Sequence, residues 1–588
     1  MSAPNAITPR DRIIRRRASL ELERASWWHH WKSIQEVLMP RSGRFFIQDE
    51  SNRGSRRNDI LDDTGTAALT TLGAGMQSGM TSPARPWVRL ETDDPDLMEN
   101  ANVSRWLDQV TTRILNVFAR SNVYNSLHSM YEELGGFGTA ASFVLPDYQD
   151  VIRCYPLTVG EYFLASNDRN EIDTLGRDFQ MTVQQIVERF VVPRPMPGKD
   201  VKKSGTWDWS NVSPAVKNLW DAHNVDTWIP LYHLVDPRLD RDTRKLDAKN
   251  MPWRSAIIEL AGPADKILNE SGYKRFPVLA PRWIVTGNDT YGSNCPGMRA
   301  LGGILQLQHE HKRKLQGIDF QVQPPIMVPT ALKNQDSDFL PGGVTYYDPV
   351  GGKVDGVHSA WQVQLDLNHL LNDIQDIRQL IKSAFFADVF LSMEQIEGQP
   401  ITAREVQERH EEKLLMLGPV VERQQSELLT PLVNITFDAL MESGSLPPPP
   451  QELQGMDLKM EFVSVLAQAQ RSTAMAGVDR WIGAVGSIAA AKQDASVWDN
   501  VNVDVVIQDA AGYLGVAPEM ARGKDEIQAL RDARNQAMQA QQKAAATQQA
   551  AETAKTLSQA PTDNSNALTQ VINGFSGQGQ PTTARLAG

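Results

Sequence analysis

One stretch sets the scale of what this chain can fold into. From Thr402 to Gly444 the sequence TAREVQERHEEKLLMLGPVVERQQSELLTPLVNITFDALMESG holds the longest sustained helical pattern in the molecule. Val406, His410, Leu414, Leu417, Val421, Leu428, Leu432 and Ile435 recur at helical spacing and draw one stripe along such a helix. Both ends are marked. Thr402 with Glu405 three residues on reads as a capping box, and Gly444 followed by Pro447 to Pro450 reads as a stop. Helical throughout, about 40 residues at 1.5 Å each would span roughly 60 Å, longer than an ordinary domain needs. Gly418-Pro419 removes an amide donor and crowds the carbonyl of Leu415, so a bend is expected there, with a second possible at Pro431. The alternative is two ordinary packed helices with a break between them.

The rest of the chain is long enough to carry such a strut. Its 588 residues allow several domains, and 41% hydrophobic with 22% charged residues describes a soluble globular protein. The best apolar run, Trp481 to Ala491, is short and lies between Arg480 and Lys492, so no membrane span is expected. The N-terminus has no apolar signal core, which predicts a chain made and kept in a cytoplasm. Cys154 and Cys295 are too few for a disulfide framework and lack zinc-like spacing. The net charge of −12 argues against a protein that grips duplex DNA by broad phosphate neutralisation, though not against a surface along which DNA slides.

Ahead of the strut the chain changes character twice. Residues 1–57 hold twelve Lys/Arg against six Asp/Glu, with Arg15, Arg16 and Arg17 in a row. This is either a basic arm for nucleic acid or an acidic partner, or a solvated helix face that carries Trp27, Trp28 and Trp31 into a core. Ile60 to Leu90 reads as a small-residue helix ended by Ser82-Pro83 and followed by a strand entering at Trp87. Gly73, Gly75 and Gly79 fit neither a dinucleotide fingerprint nor a P-loop, which leaves close helix packing. Helices are expected over Ser104–Phe118 and Tyr124–Leu134, with Gly135, Gly136 and Gly138 turning into a strand. From there to Trp283, VIRCYPL, EYFLAS, WIPLYHLV, SAIIEL and FPVLAPRWIV read as strands around one helix at Val183–Phe190, a mixed α+β domain. Pro193 to Ser210 reads as a surface loop.

After YGSNCPG (Tyr291–Gly297) the organisation shifts. A helix over Met298–Gln316 carries His309, Glu310, His311, Lys312, Arg313 and Lys314, and gives way to an extended Pro-rich segment with Gly-rich turns. A second helix, Asp366–Phe386, places Leu367, Leu370, Ile374, Ile377, Ile381 and Phe385 at steps of three or four. Helix, β-rich tip and returning helix make a projecting hairpin-like module. A loop from Phe386 to Pro400 leads into the strut. Beyond it, LKMEFVSVL reads as a strand, helices follow to Ala511, and an Ala/Gln-rich helical tract runs to about Leu557 before a tail of disordered composition.

The common signatures of nucleotide, metal and nucleophile chemistry are absent: no P-loop, HExxH, GxSxG, EF-hand loop or CxxC occurs. His309 and His311 are two apart, not at the i, i+4 spacing that puts two imidazoles on one helix face. Asp62-Asp63 and Glu411-Glu412 read as residues at caps or on exposed faces.

The segments DDTGTAALTTLGAGMQSGMTSPARPW, YGSNCPGMRALGGILQLQHEHK and TAREVQERHEEKLLMLGPVVERQQSELLTPL, with LPPPP and AQAQR after them, resemble the head-to-tail connector, or portal, proteins of short-tailed bacteriophages, over about Arg15 to Gly515. The resemblance implies a helix-rich α+β portal fold and no enzyme activity or cofactor. It implies a ring, generally of twelve subunits, at one capsid vertex of the virion, assembled in the host cytoplasm around a channel for double-stranded DNA. In that frame residues 1–295 are the wing, 296–319 and 362–385 the stem helices, and 320–361 the clip. Residues 386–401 are the tunnel loop, 402–444 the long wing helix, 445–520 the crown, and 521–588 a C-terminal barrel or disordered tail. Lys312, Arg313 and Lys314 become candidate channel residues; Val389, Phe390, Met393, Gln395 and Gln399 become candidates for the tunnel loop. Thr402 and Glu405 cap the long helix, and Gly418 with Pro419 bends it. The implied partners are other copies of the chain, DNA, major capsid and scaffolding proteins, a large terminase supplying ATP chemistry, a tail adaptor or tube, and internal ejection proteins. From the residues alone, a head scaffold or tail adaptor with no DNA in its lumen and an enzyme with an unfamiliar site stay open.

Overall fold

The computed structural model describes residues 8–45, 60–191, 207–330, 340–347, 357–359, 367–391, 417–453, 458–462, parts of 481–506, and 524–558, apart from a few single positions within these ranges. Residues 1–515 form one compact unit and 516–588 another.

The first helix, α1 (Pro9–Leu38), is opened by Thr8, whose hydroxyl accepts from the amide of Asp11, with Pro9 in the first turn where it needs no amide partner. One face buries Ile13, Leu20, Trp31, Ile34 and Leu38. The basic character of this region is turned inward as well as outward. Arg24 donates to the carbonyls of Gly160 and Tyr162 at 2.9 and 2.8 Å and stacks over the Phe163 ring, while Arg17 makes a two-pronged pair with Asp178 at 2.9 and 2.7 Å. Arg15 and Arg16 stay exposed. The reading as a helix face carrying tryptophan into the core describes this segment.

Helix α2 (Thr64–Met80) buries Ala68, Leu69, Leu72, Met76 and Met80, and leads to strand β1 (Val88–Thr92). Helix α3 (Ala101–Arg120), capped by Asn100, and helix α4 (Val123–Phe137) follow. Gly138 closes α4 at φ +83°, a left-handed conformation that favours glycine. Strands β2 (Ala141–Asp147) and β3 (Val151–Leu157) make a hairpin, to which β9 (Val278–Leu279) adds an edge in the order β3-β2-β9. Strands β4 (Tyr162–Ser166), β5 (Ile172–Thr182), β6 (Trp228–Pro237), β7 (Trp253–Glu259) and β8 (Asn269–Tyr273) form a five-stranded antiparallel meander in sequence order. Between β5 and β6 lie α5 (Val183–Ile186), which starts with a capping box of Thr182 and Gln185 and widens into a π turn over Val187–Val191, and α6 (Pro214–Asp221).

Strands β5 and β8 and helix α6 go beyond the elements read from the sequence. β5 is polar along much of its length and interrupted by Gly176, so it shows no alternation; it is a strand because β4 and β6 fill both its edges. Gly176 has its own reason, since a Cβ there would overlap the phenol of buried Tyr232.

Helix α7 (Pro296–Val322) runs to a small sheet of β10 (Ile326–Pro329), β11 (Val344–Tyr347) and β12 (His358–Ser359), in which β10 is central, parallel to β11 and antiparallel to β12. Helix α8 (Leu367–Ala384) returns and is followed at once by α9 (Ala387–Leu391). Then come α10 (Gly418–Gln424), a π turn over Gln425–Leu429 and α11 (Thr430–Glu442) in unbroken succession. Strand β13 (Leu458–Phe462) pairs antiparallel with β1, joining a late segment to the N-terminal body. Trp87 lies parallel to both Phe118 and Phe462, with ring centroids 5.7 and 6.5 Å away. The second unit contains α12 (Lys524–Ser558), a 35-residue helix. Among the described residues no helix is long and apolar enough to cross a membrane.

Candidate functional site

The projecting module begins at a backbone crossing. A Cβ at Gly292 would overlap the carbonyl of Gly138, and one at Gly297 the carbonyl of Gly136, so the Gly residues of YGSNCPG and of GGFG allow two backbones to touch. Cys295 Sγ donates to the Gly136 carbonyl at 3.3 Å, and burial pushes its thiol up to about 12, which makes it an inert packing group. From this pinned start α7 leaves the body: Ala300, Ile304 and Leu307 are buried, and the helix beyond them is largely exposed. Its neighbour α8 turns Ile374, Ile377 and Ile381 inward, and Gly303 sits against Ile377 and Ile381.

A polar knot fastens both helices to the start of α2. Buried Asp62 accepts from Arg378 of α8 through Nη2 at 2.6 Å and Nε at 3.0 Å, and from the Thr64 amide at 2.9 Å. His311 of α7 lies 3.0 Å from the same carboxylate, and Gln308 of α7 bonds the amides and carbonyl of Leu61-Asp62. Burial alone would raise the Asp62 pKa, but hydrogen bonds from Thr64 and Arg378 outweigh it and hold the carboxyl below its ordinary range. Reading Asp62 as an ordinary cap residue misses this role, because Arg378 is 316 positions away.

Of the candidate channel residues, Lys312 and Arg313 are exposed and Lys314 partly so. Arg313 Nε approaches His309 one turn back at 3.4 Å, and none of the three cations has a carboxylate within 4.0 Å among the described residues. His309 and His311 diverge, one beside Arg313 and the other on Asp62.

The tunnel-loop candidates divide. Val389 and Phe390 belong to the short helix α9, entered through Phe386 at φ +56°. Val389 is only 4% exposed, and the Phe390 ring sits where a Cβ of Gly75 would be. These two candidates therefore stand in a short helix packed on α2, at the entry to the segment 386–401. The fit also explains Gly75 by close packing. Met393, Gln395, Gln399, Thr402 and Glu405 lie outside the described residues. Gly418 and Pro419 form the first turn of α10, with Leu417 in turn conformation before them; the residues on the other side of the expected bend lie outside those described. Within the described part of the strut an irregularity falls at the π turn before Pro431, where Thr430 N–H reaches back to the Gln425 carbonyl.

That π turn presents Glu427 to Arg282, which is 2% exposed and held by both Glu427 oxygens and by Asn170. Gln424 donates to the Arg282 carbonyl at 2.9 Å. Gly444, at φ +66°, ends α11 as its sequence predicts, and Trp106 donates to the Pro447 carbonyl in the segment beyond.

The architecture is a helix-rich α+β body with a pinned helix–sheet–helix projection. A model of the family described as bacteriophage head to tail connecting protein matches residues 10–521. The chain is 46% identical over 570 residues to a probable portal protein of Bordetella phage BPP-1, covering 97% of this chain and 99% of that one. It is 43% identical over 569 residues to a portal protein of Salmonella phage epsilon15, again covering 97% and 99%. A chain from the virion of a native gene transfer agent particle is similar at TM-score 0.26 and 12% identity, over 71% of this chain and 95% of that one. The chain belongs to the family of bacteriophage head-to-tail connecting proteins. Within that structural family its function is that of a portal protein of the virion head.

Proposed function

We propose that copies of this chain close into a ring, twelve being the usual number for such proteins, whose axial channel carries double-stranded DNA into the head and out again. The wing is then 1–295 with the long helix 402–444. Residues 296–319 and 362–385 form the stem, 320–361 the clip, 386–401 the tunnel loop, 445–520 the crown and 521–588 the C-terminal barrel or tail. The observation that carries the reading is the projecting module, with its base locked on Asp62 and its exposed cations on α7.

A conduit must hold DNA weakly. Each phosphate neutralised adds affinity and steepens salt dependence by roughly 0.9 in log–log slope, so a few cations per subunit on a chain of net charge −12 suit transit better than capture. The β10–β12 tip would serve the terminase motor and then a tail adaptor, and the wing the major capsid and scaffolding proteins, with internal ejection proteins above the crown. ATP hydrolysis would belong to the motor, and this chain would be no enzyme. Assembly would take place in the host cytoplasm. In a packaging extract lacking the chain, adding it should restore DNA-filled heads, and the purified chain should show no sustained ATP turnover. Heads that fill equally without it would overturn the reading.

A further inference from the structure

Within one chain the projecting helices leave two flanks uncovered. On α7, Gly302, Leu305, His309 and Lys312 recur at steps of three, four and three, and all are exposed, Leu305 by 47%. On α8, Asp373, Asp376, Leu380 and Ser383 recur at the same steps and are exposed too, Leu380 by 61%. Such steps place each set along one side of its helix. The seam between the two helices is made chiefly by Gly303 against Ile377 and Ile381, with a Leu380 methyl also near Gly303.

Two features of these flanks have no use inside a single chain. A Cβ at Gly302 would meet nothing within 4 Å, although glycine in an exposed helix interior weakens the helix relative to alanine. Glycine there serves a close approach from outside. The charges are also segregated, with Lys312 on the α7 flank and Asp373 and Asp376 on the α8 flank, and none of these three has an oppositely charged partner within 4.0 Å among the described residues.

We propose that the α7 flank of one copy docks on the α8 flank of the next. α7 runs to the β10–β12 sheet and α8 returns from it, so the two are antiparallel, and rotation about an axis along the module keeps those directions. At one antiparallel register Gly302 meets Ser383 of the partner subunit, Leu305 meets the partner's Leu380, His309 meets the partner's Asp376, and Lys312 meets the partner's Asp373. Small faces small, apolar faces apolar, the imidazole of His309 faces a carboxylate, and the Lys312 cation faces an acid. Sliding by one turn sets Leu305 opposite Asp376 or Ser383, so the pattern also rejects its neighbouring registers. The contact is heterologous and can close a ring. This rests on the ring reading and refines it: Lys312 is committed to the neighbour, while Arg313, about 100° further round the helix, remains for the channel.

Thiol cross-linking tests it, because the native Cys154 and Cys295 are both buried. An equal mixture of Leu305→Cys and Leu380→Cys chains, assembled and treated with a short bismaleimide, should give covalent dimers, and neither variant alone should. Gly302→Leu should keep the folded circular dichroism spectrum and lose rings in electron micrographs. Rings from wild type with no cross-link in the mixture, or rings unaffected by Gly302→Leu, would overturn the inference and leave the ring reading intact. A wild type that stays monomeric would overturn both.

Discussion

Asp62 shows how much a single side chain carries. Its carboxylate gathers Arg378, His311 and Thr64, so Asp62→Asn leaves Arg378 without a counter-charge at the root of the projecting module. A fully buried pair broken this way costs about 3–5 kcal/mol; with Arg378 41% exposed, about 2 kcal/mol is expected here. Hydrogen–deuterium exchange should show faster exchange across Leu367–Ala384 with the five-stranded sheet unchanged, and an unaltered helix would contradict the role. The folded Asp62 pKa lies below its ordinary value, so its contribution is present above the unfolded carboxylate pKa and is lost as pH falls through the folded one.

The same linkage has the opposite sign where β1 meets β13. Glu91, opposite Lys459 in the register, is pushed up to about 7 by burial and by a hydrogen bond and repulsion from Glu461, which itself lies opposite Arg89. Its folded pKa is raised, so the stabilisation is full below the unfolded pKa of about 4.3 and lost as pH rises through about 7. Between pH 6 and 8 the strand pair should loosen by roughly 1 kcal/mol after allowance for solvent screening. Exchange of the β1 and β13 amides would report it, and Glu91→Gln should remove the pH dependence. In α9, the packed positions of buried Val389 and half-buried Phe390 decide how loop function is tested. Deleting 392–399 should spare ring assembly and impair DNA packaging or retention, whereas a deletion beginning at Val389 should also destabilise the body, because it empties the site against Gly75. Unchanged packaging in the shorter deletion would refute the loop function. Elements with strong periodicity, such as α7, α8 and the Leu417–Gly444 half of the strut, were legible from spacing and caps alone. β5 was not, because its stability comes from partners on both edges. Nor was the Asp62–Arg378 knot, since no local pattern marks a pair hundreds of residues apart.

For the whole molecule, family membership was readable from motif order, because YGSNCPG brings two backbones into contact and Gly73 and Gly75 admit the Glu132 side chain and the Phe390 ring against α2. How the copies meet depends on surfaces that a single chain leaves uncovered. The ring reading is open to two-dimensional classes from electron microscopy of the purified, assembled protein, which should show closed rings with an axial hole wide enough for B-form DNA and the α7–α8 module around its narrow part. Monomers, open filaments, or closed rings without an axial opening would contradict it.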